Sequence, residues 1–165
     1  MDILAHTLWT TAAFYKKYKT DKKLLFLSAF FGVLPDLLSF VPVFVYGFLS
    51  SRGFMELISS SNWTVRYASA SYNYTHSIIS FIVVMLVILV IRKGKMWWPI
   101  WGWALHIGID IFTHRGFYET PFLFPLFSYK FSHGISWAHP TFMIINYSAL
   151  AVVYIFWYLI LRKKN

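Results

Sequence analysis

Long apolar stretches without a single charged residue dominate this chain. One runs from Thr141 to Leu161, and a second, from Ser77 to Ile91, ends in the unbroken apolar run Phe81 to Ile91. About 20 apolar residues in an α-helix cross the ~30 Å hydrocarbon core of a bilayer. Hydrophobic residues make up 58% of the sequence and charged residues only 13%, whereas a soluble domain keeps a charged surface. We therefore predict an integral membrane protein.

Three further stretches complete the predicted membrane body. Leu24 to Phe48 and Met96 to Thr113 are long enough to span, and Ile3 to Tyr15 is shorter, tilted or only partly inserted. We expect an all-α membrane bundle of about five transmembrane helices, forming a single domain over residues 1–165. The polar segment 50–74 and the Pro- and aromatic-rich segment 115–140 are predicted outer loops, the first with an amphipathic helix on the membrane surface.

The basic residues account for the net charge of +9 and gather beside the apolar stretches. Such clusters mark the cytoplasmic ends of membrane helices, so we expect a multi-pass protein of the cell (inner) membrane, with its N-terminus outside and no nucleic-acid partner. The first segment lacks a basic leader, and we expect no cleavable signal peptide. The clusters are Lys16, Lys17, Lys19, Lys22 and Lys23, then Arg92, Lys93 and Lys95, then Arg162, Lys163 and Lys164.

Six ionisable residues fall within or beside the predicted spans, where a charged side chain costs about 2.5–3.5 kcal/mol at the helix centre. Ionisable residues that are found within membrane spans usually serve a function. If the chain crosses the membrane as the five predicted helices, most of these residues lie toward the outer leaflet, away from the basic clusters. One of them lies near the middle of the membrane. They are His6, Asp36, His76, His106, Asp110 and His114.

The strongest local pattern is His106-x3-Asp110-x3-His114, because residues four apart share one helix face about 6 Å apart. His106 and Asp110 can therefore ligate one ion, as i, i+4 ligand pairs do in zinc helices. On a straight helix His114 is too far from His106 to share that ion, but Asp110 can bridge to a second. Alternatively, His106 and Asp110 form a buried hydrogen-bonded pair that holds helices together. Gly102 and Gly108 favour close helix packing in either case.

Two of the other candidates lie at predicted irregularities of the backbone. Thr75 is a candidate N-cap for the helix that begins beside His76. Pro35 precedes Asp36, and a proline in a membrane helix frees backbone groups and often marks a functional kink. A continuous helix would put Asp36 about 16 Å below the outer end, whereas a break at Pro35 would let it rise toward the other candidates.

The second outer loop adds candidates for substrate binding. Arg115 is suited to bidentate binding of a phosphate, although it also fits an anchor at the end of a helix. Glu119 follows a few residues later and is a further loop candidate. His133 and His139 are expected to be solvated, as loop histidines usually are.

Taken in order, the motifs are His6, Leu-Pro-Asp36, Thr-His76-Ser and His106-x3-Asp110. This succession resembles the membrane-bound metal-dependent hydrolases of bacteria and archaea, whose LexA-regulated inner-membrane members give the family one of its names. It is also similar to the zinc ligands of secreted phospholipase C, without the later His-x3-Glu pair of that enzyme. The resemblance implies one or two ions, most simply zinc, with manganese or iron as alternatives. The implied metal ligands are His6, Asp36, His76, His106 and Asp110, and the implied catalytic residues are Asp36, Asp110 and His114.

Three functions compete on these observations. The first is a hydrolase that cleaves a phosphoester, or another ester, of a lipid or lipid-linked substrate with a metal-activated water. The second is a divalent metal transporter, which typically places its site near mid-membrane between internal repeats; this chain has no visible repeat. The third is a non-enzymatic membrane partner protein whose polar residues only join helices.

Overall fold

A computed structural model describes residues 1–53, 56–57, 62–116 and 119–162. All regular secondary structure in these segments is helical, which confirms the predicted all-α class. The described elements, in chain order, are α1 (Ile3–Tyr18), α2 (Lys22–Ser50), α3 (Trp63–Thr75), α4 (Ile78–Ile91), a 3₁₀ helix (Trp98–Ile100), α5 (Trp101–Thr113) and α6 (Pro140–Arg162).

Two of the described helices, α2 and α6, are long and apolar enough to cross a membrane. The helices α3 and α4 meet at a bend of 65° and make a third span if they are counted together. The prediction of five spans therefore exceeds the two or three that the described residues offer. The difference lies in helix length: α1 has 16 residues and α5 has 13, or about 24 Å and 20 Å. The helix α5 is shorter than its apolar run because the 3₁₀ helix occupies the first part of that run.

The helices begin where short polar side chains cap them, as helix N-termini require. Asp21 Oδ1 accepts from the backbone N–H of Leu24 at 3.0 Å at the start of α2. Ser77 Oγ accepts from Ile79 and Ser80 at the start of α4. The prediction of Thr75 as this N-cap was wrong, since Thr75 is the last residue of α3. The break between α3 and α4 therefore leaves His76 between two helix ends.

The helix α2 runs unbroken through Pro35 and Pro42, which resolves the alternatives left open at Pro35. Proline lacks the N–H that would bond the carbonyl four residues earlier, but neighbouring helices hold the helix in place. Asp36 stands halfway between Lys22 and Ser50, about 21 Å from either end.

The helix α2 is the centre of the bundle and packs against α1, α3 and α5. Glycines permit its closest contacts. A methyl group at Gly102 would lie 2.2 Å from the carbonyl oxygen of Ser28, and one at Gly32 would lie 2.2 Å from Thr10 Oγ1. Close packing was correctly predicted at Gly102 and wrongly at Gly108, which faces open space.

Contacts with aromatic rings show that three helix ends lie close together. Lys17 Nζ lies 3.7 Å from the ring of Trp98, which follows the basic cluster ending at Lys95. Tyr15 packs its ring 5.4 Å from that of Trp157, near the end of α6. The ends of α1 and α6 and the start of the 3₁₀ helix therefore share one end of the bundle, whereas Lys163 and Lys164 lie outside the described residues.

The two predicted outer loops differ in structure. The segment predicted as the first loop contains a helix, α3, which packs against α2, and its position on the membrane surface stays a prediction. The described part of the second loop has no long helix and lies against the helix ends. Its residues Ile135 and Trp137 donate backbone hydrogen bonds to the carbonyls of Phe112 and Thr113, both at 2.9 Å, so this loop covers the end of α5.

Candidate metal centre

Four ligand-type side chains from three parts of the fold meet inside the bundle. Asp36 comes from α2, His76 from the break between α3 and α4, and His106 and Asp110 from α5. Each offers one nitrogen or oxygen atom, and these four atoms lie within 4.8 Å of one another. Asp36 is 4% exposed and the other three are fully buried. The structure therefore places a group that could hold a divalent metal ion in the interior of the protein.

The separations within this group, which we call the His/Asp cluster, are short. His106 Nε2 lies 3.0 Å from His76 Nε2 and 3.1 Å from Asp110 Oδ2. Asp36 Oδ1 lies 3.4 Å from His76 Nε2 and 3.8 Å from His106 Nε2. Four ligands placed tetrahedrally at about 2.0–2.1 Å from an ion would be about 3.3 Å apart. The observed separations fit such an ion.

Hydrogen bonds outside the cluster orient its imidazoles. Nδ1 of His106 lies 2.8 Å from the carbonyl oxygen of Gly32. A carbonyl only accepts, so Nδ1 carries the proton and Nε2 keeps its lone pair for a ligand. The hydroxyl of Thr75 lies 3.0 Å from Nδ1 of His76. Metal-bound histidines are typically held by such outer hydrogen bonds.

The charges and the hydrogen-bond geometry also fit a cation. Two buried carboxylates face two imidazoles, and buried carboxylates need partners of opposite charge. The nitrogen of Met1 lies 2.5 Å from Asp110 Oδ1, and a divalent ion would neutralise the negative charge that remains. Asp110 Oδ2 is surrounded by imidazole nitrogens at 3.1–3.5 Å. Within the described residues no donor makes a well-directed hydrogen bond to this oxygen, so it is available to a bound cation.

The two other predicted histidines stand on the edge of the cluster beside Asp110. His6 is fully buried, its Nε2 lies 2.9 Å from Asp110 Oδ1, and its ring stacks on that of His106 at 3.8 Å. Because α5 ends at Thr113, His114 turns back and places Nδ1 3.3 Å from Asp110 Oδ2. Asp110 thus presents separate oxygens to His6 and His114, as a bridging carboxylate would.

A cavity of about 420 Å³ reaches the His/Asp cluster from one side. Asp36 and His114 form part of its wall, and Arg115 lies at its border. The rest of the wall is mostly apolar and aromatic, and comes from the start of α1, from α2, from α3 and from the second loop. The other described lining residues are Met1, Asp2, Ile3, Leu4, Phe40, Phe44, Tyr72, Ser136 and Trp137.

The remaining predicted residues lie away from this cavity. Glu119 accepts a hydrogen bond from the backbone N–H of Gly116 at 3.2 Å and is not among the described residues that line the cavity. His133 and His139 are exposed, as predicted. The structure therefore brings Arg115 to the cavity and leaves Glu119 outside it.

Two residues that sequence reasoning missed contact the His/Asp cluster. The ring of Tyr72 stacks on His76 at 3.7 Å, and its hydroxyl lies 3.3 Å from His114 Nδ1. The spacing of four between Tyr72 and His76 on a helix could have indicated this pair. The nitrogen of Met1 lies 2.5 Å from Asp110 Oδ1, and no sequence pattern indicates that contact.

The chain was compared with known proteins in three ways. Scans of protein-family models, of curated proteins and of solved structures each found no match.

Proposed function

We propose that this protein is a membrane-embedded metal-dependent hydrolase that cleaves a phosphoester, or another ester, of a lipid or lipid-linked substrate. The observation that carries the proposal is the contact between a buried His/Asp cluster and an apolar cavity with an arginine at its border. A metal-type ligand set alone would suit a structural ion. A cavity that exposes Asp36 and His114 to a second molecule suits a reaction.

The ion in this proposal is zinc. Two neutral imidazoles and two carboxylates suit zinc, with manganese or iron as the alternatives. Asp36, His76, His106 and Asp110 would hold the first ion. His6 and His114 on the two sides of Asp110 would contribute to a second, if two are bound.

A bound ion would supply the activation of a water molecule and the polarisation of the attacked phosphoryl or acyl oxygen. The protein's own residues would perform the remaining steps. Asp36, which belongs to both the His/Asp cluster and the cavity wall, would orient the water and accept its proton on the carboxylate. With one ion bound, His114 would donate a proton from its imidazolium form to the leaving oxygen and become a neutral imidazole. Arg115 would bind the substrate phosphate through its guanidinium.

The walls of the cavity favour an amphiphilic substrate. Phe40 and Phe44 on α2 and Ile3 and Leu4 on α1 offer apolar surface close to the arginine. A lipid phosphoester matches this arrangement of apolar surface and arginine, because it has an apolar chain beside a phosphate. A small polar ester would leave most of this wall without a partner.

The proposed topology places the basic helix ends in the cytoplasm and the His/Asp cluster toward the outer leaflet of the cell membrane. Asp36 stands about 21 Å from Lys22 along α2, which is beyond the middle of a ~30 Å core that begins at Lys22. Two or three complete spans and the shorter helices α1 and α5, both partly inserted, would form the membrane body.

The test is hydrolysis by the purified protein, loaded with zinc and reconstituted with phosphatidylglycerol, phosphatidic acid and isoprenyl phosphates. Release of phosphate or of the phosphorylated headgroup is measured. We expect turnover of at least one substrate, and a loss of about 100-fold or more in Asp110→Asn. His133→Asn, an exposed loop histidine, is the matched control and should retain activity.

The outcomes separate the competing functions. Zinc-loaded protein that turns over none of these substrates would contradict the hydrolase. Zinc flux into liposomes that is lost in Asp110→Asn would identify a transporter. Protein that binds no stoichiometric metal and is unaffected by His106→Ala would leave only a non-enzymatic partner protein.

A further inference from the structure

A second cavity lies between α1, α5 and α6, and Met1 lines both this cavity and the one that reaches the His/Asp cluster. Its volume is about 600 Å³, within the range of about 300–1,000 Å³ that small-molecule sites occupy. Its described wall is largely apolar, and Ile109, Phe142 and Phe156 are typical members. Besides two tryptophans, Thr113 and Asn146 supply the polar side chains of this wall.

Two hydrogen bonds beside the cavity hold α6 against α1. Tyr147 donates to Asp2 Oδ1 at 2.8 Å, and Tyr154 donates to the carbonyl oxygen of Leu8 at 3.0 Å. The two bonds lie about 10 Å apart along α6. Because two bonds hold α6 against α1 along the length of the cavity, we infer that the gap is a formed feature of the fold.

Asn146 is the unusual member of this wall. It is 7% exposed and lies on a helix long and apolar enough to span the membrane. Its Oδ1 accepts from Trp9 Nε1 at 2.8 Å. An indole nitrogen only donates, so this bond determines which end of the amide is the oxygen. The other end, Nδ2, has no hydrogen-bond partner within the described residues.

An amide donor without an acceptor is costly inside a membrane, so an acceptor from a bound molecule is expected. A water molecule would need two to four polar partners, and Thr113 already donates to Asp110 Oδ1 at 3.4 Å. Asn146 lies about 9 Å along α6 from Pro140. If α6 begins at the membrane boundary, Asn146 lies inside the hydrocarbon core, where water is scarce and a lipid that enters the cavity is the nearest source of an acceptor.

We propose that this cavity is a binding site for an acyl-ester glycerolipid, whose chain fills the apolar gap and whose ester carbonyl accepts a hydrogen bond from Asn146 Nδ2. This inference goes beyond the proposed hydrolase, because the bound lipid need not be the substrate and binding requires no metal.

Native mass spectrometry of the purified protein in mild detergent tests the proposal. The two probes are dioleoyl phosphatidylglycerol and its diether analogue, which lacks both carbonyls. One hydrogen bond corresponds to a preference of roughly two- to ten-fold, so the wild type should retain the ester lipid that much better. Asn146→Leu should abolish the preference, and Ser148→Ala, an exposed position on the same helix, should keep it.

A second variant addresses the case in which Asn146→Leu does not fold. Ala13 lines the cavity, and Ala13→Phe would fill it and lower the retention of both lipids. Equal retention of ester and ether lipids by the wild type would overturn the proposal. A dimer that excludes lipid from this cavity would also overturn it, because the occupant would then be a second copy of the chain.

Discussion

The Nδ1 atom of His106 lies 2.8 Å from the carbonyl oxygen of Gly32 and joins α5 to α2 beside the His/Asp cluster. Two glycines permit this approach, since Gly102 of α5 touches the backbone of α2 and Gly32 touches Thr10 of α1. The same contact that packs the helices therefore orients a ligand imidazole. Packing and site geometry depend on each other at this point.

Gly102→Ala should destabilise the protein, because its methyl group would meet the Ser28 carbonyl at 2.2 Å and overpacking typically costs about 1–3 kcal/mol. Gly108→Ala is the matched control, since nothing lies within 4 Å of that position and alanine favours a helix by up to about 1 kcal/mol. Thermal unfolding in detergent, followed by circular dichroism, measures both. Equal midpoints for the two variants would contradict the close packing.

Thr75→Val should weaken metal binding about ten-fold or more, which is the usual effect of removing an outer hydrogen bond from a ligand histidine. The change keeps the shape of the side chain and removes the hydroxyl that holds His76 Nδ1. Thr75→Ser should restore most of the affinity. Thr7→Val removes an exposed hydroxyl that donates to the backbone carbonyl of Ile3 in α1 and serves as control. Competition of the protein with a chromogenic chelator gives the affinities, and an unchanged affinity in Thr75→Val would show that this bond does not orient a ligand.

Divalent metal should stabilise the folded protein. A ligand present at 100 times its dissociation constant adds about 2.7 kcal/mol, so added zinc should raise the unfolding midpoint and a chelator should reverse the rise. Asp110→Asn should remove this response, because the carboxylate of Asp110 contacts His106 through one oxygen and His6 through the other. The exposed variant His139→Ala should respond as the wild type does. A full zinc response in Asp110→Asn would place the ion elsewhere.

Arg115→Ala should lower kcat/KM for a phosphoester by roughly 10- to 100-fold, the effect of losing a charged hydrogen bond of about 1.5–3 kcal/mol, mainly through KM. This prediction rests on the proposed hydrolase. Glu119→Gln should change kcat/KM less than about two-fold, since Glu119 bonds its own turn at Gly116. A larger effect of Glu119→Gln than of Arg115→Ala would reverse the assignment of the two residues.

Part of the candidate site could be predicted from the spacing of residues along the chain. His106 and Asp110 are four apart in a helix, so they share a face whatever the rest of the chain does. The ends of α6 and α2 also agree closely with the apolar runs that predicted them, because apolar sequence and polar caps determine helix ends locally. The number of spans was overestimated, since the run Met96 to Thr113 contains a 3₁₀ turn at Pro99 that shortens α5.

The convergence of the cluster depended on contacts between distant segments. The spacing of residues along the chain does not predict that Asp36, at the middle of α2, and His76, in a helix break, lie next to His106. Steric fit at Gly32 and Gly102 contributes to that, because Gly32 accommodates the side chain of Thr10 on α1 and Gly102 accommodates the backbone of α2. The amino-acid sequence alone therefore established an apolar, helical chain with buried histidines and aspartates. Helix packing decided which of those residues meet, because side-chain contacts across helices depend on interhelical distance and not on spacing along the chain.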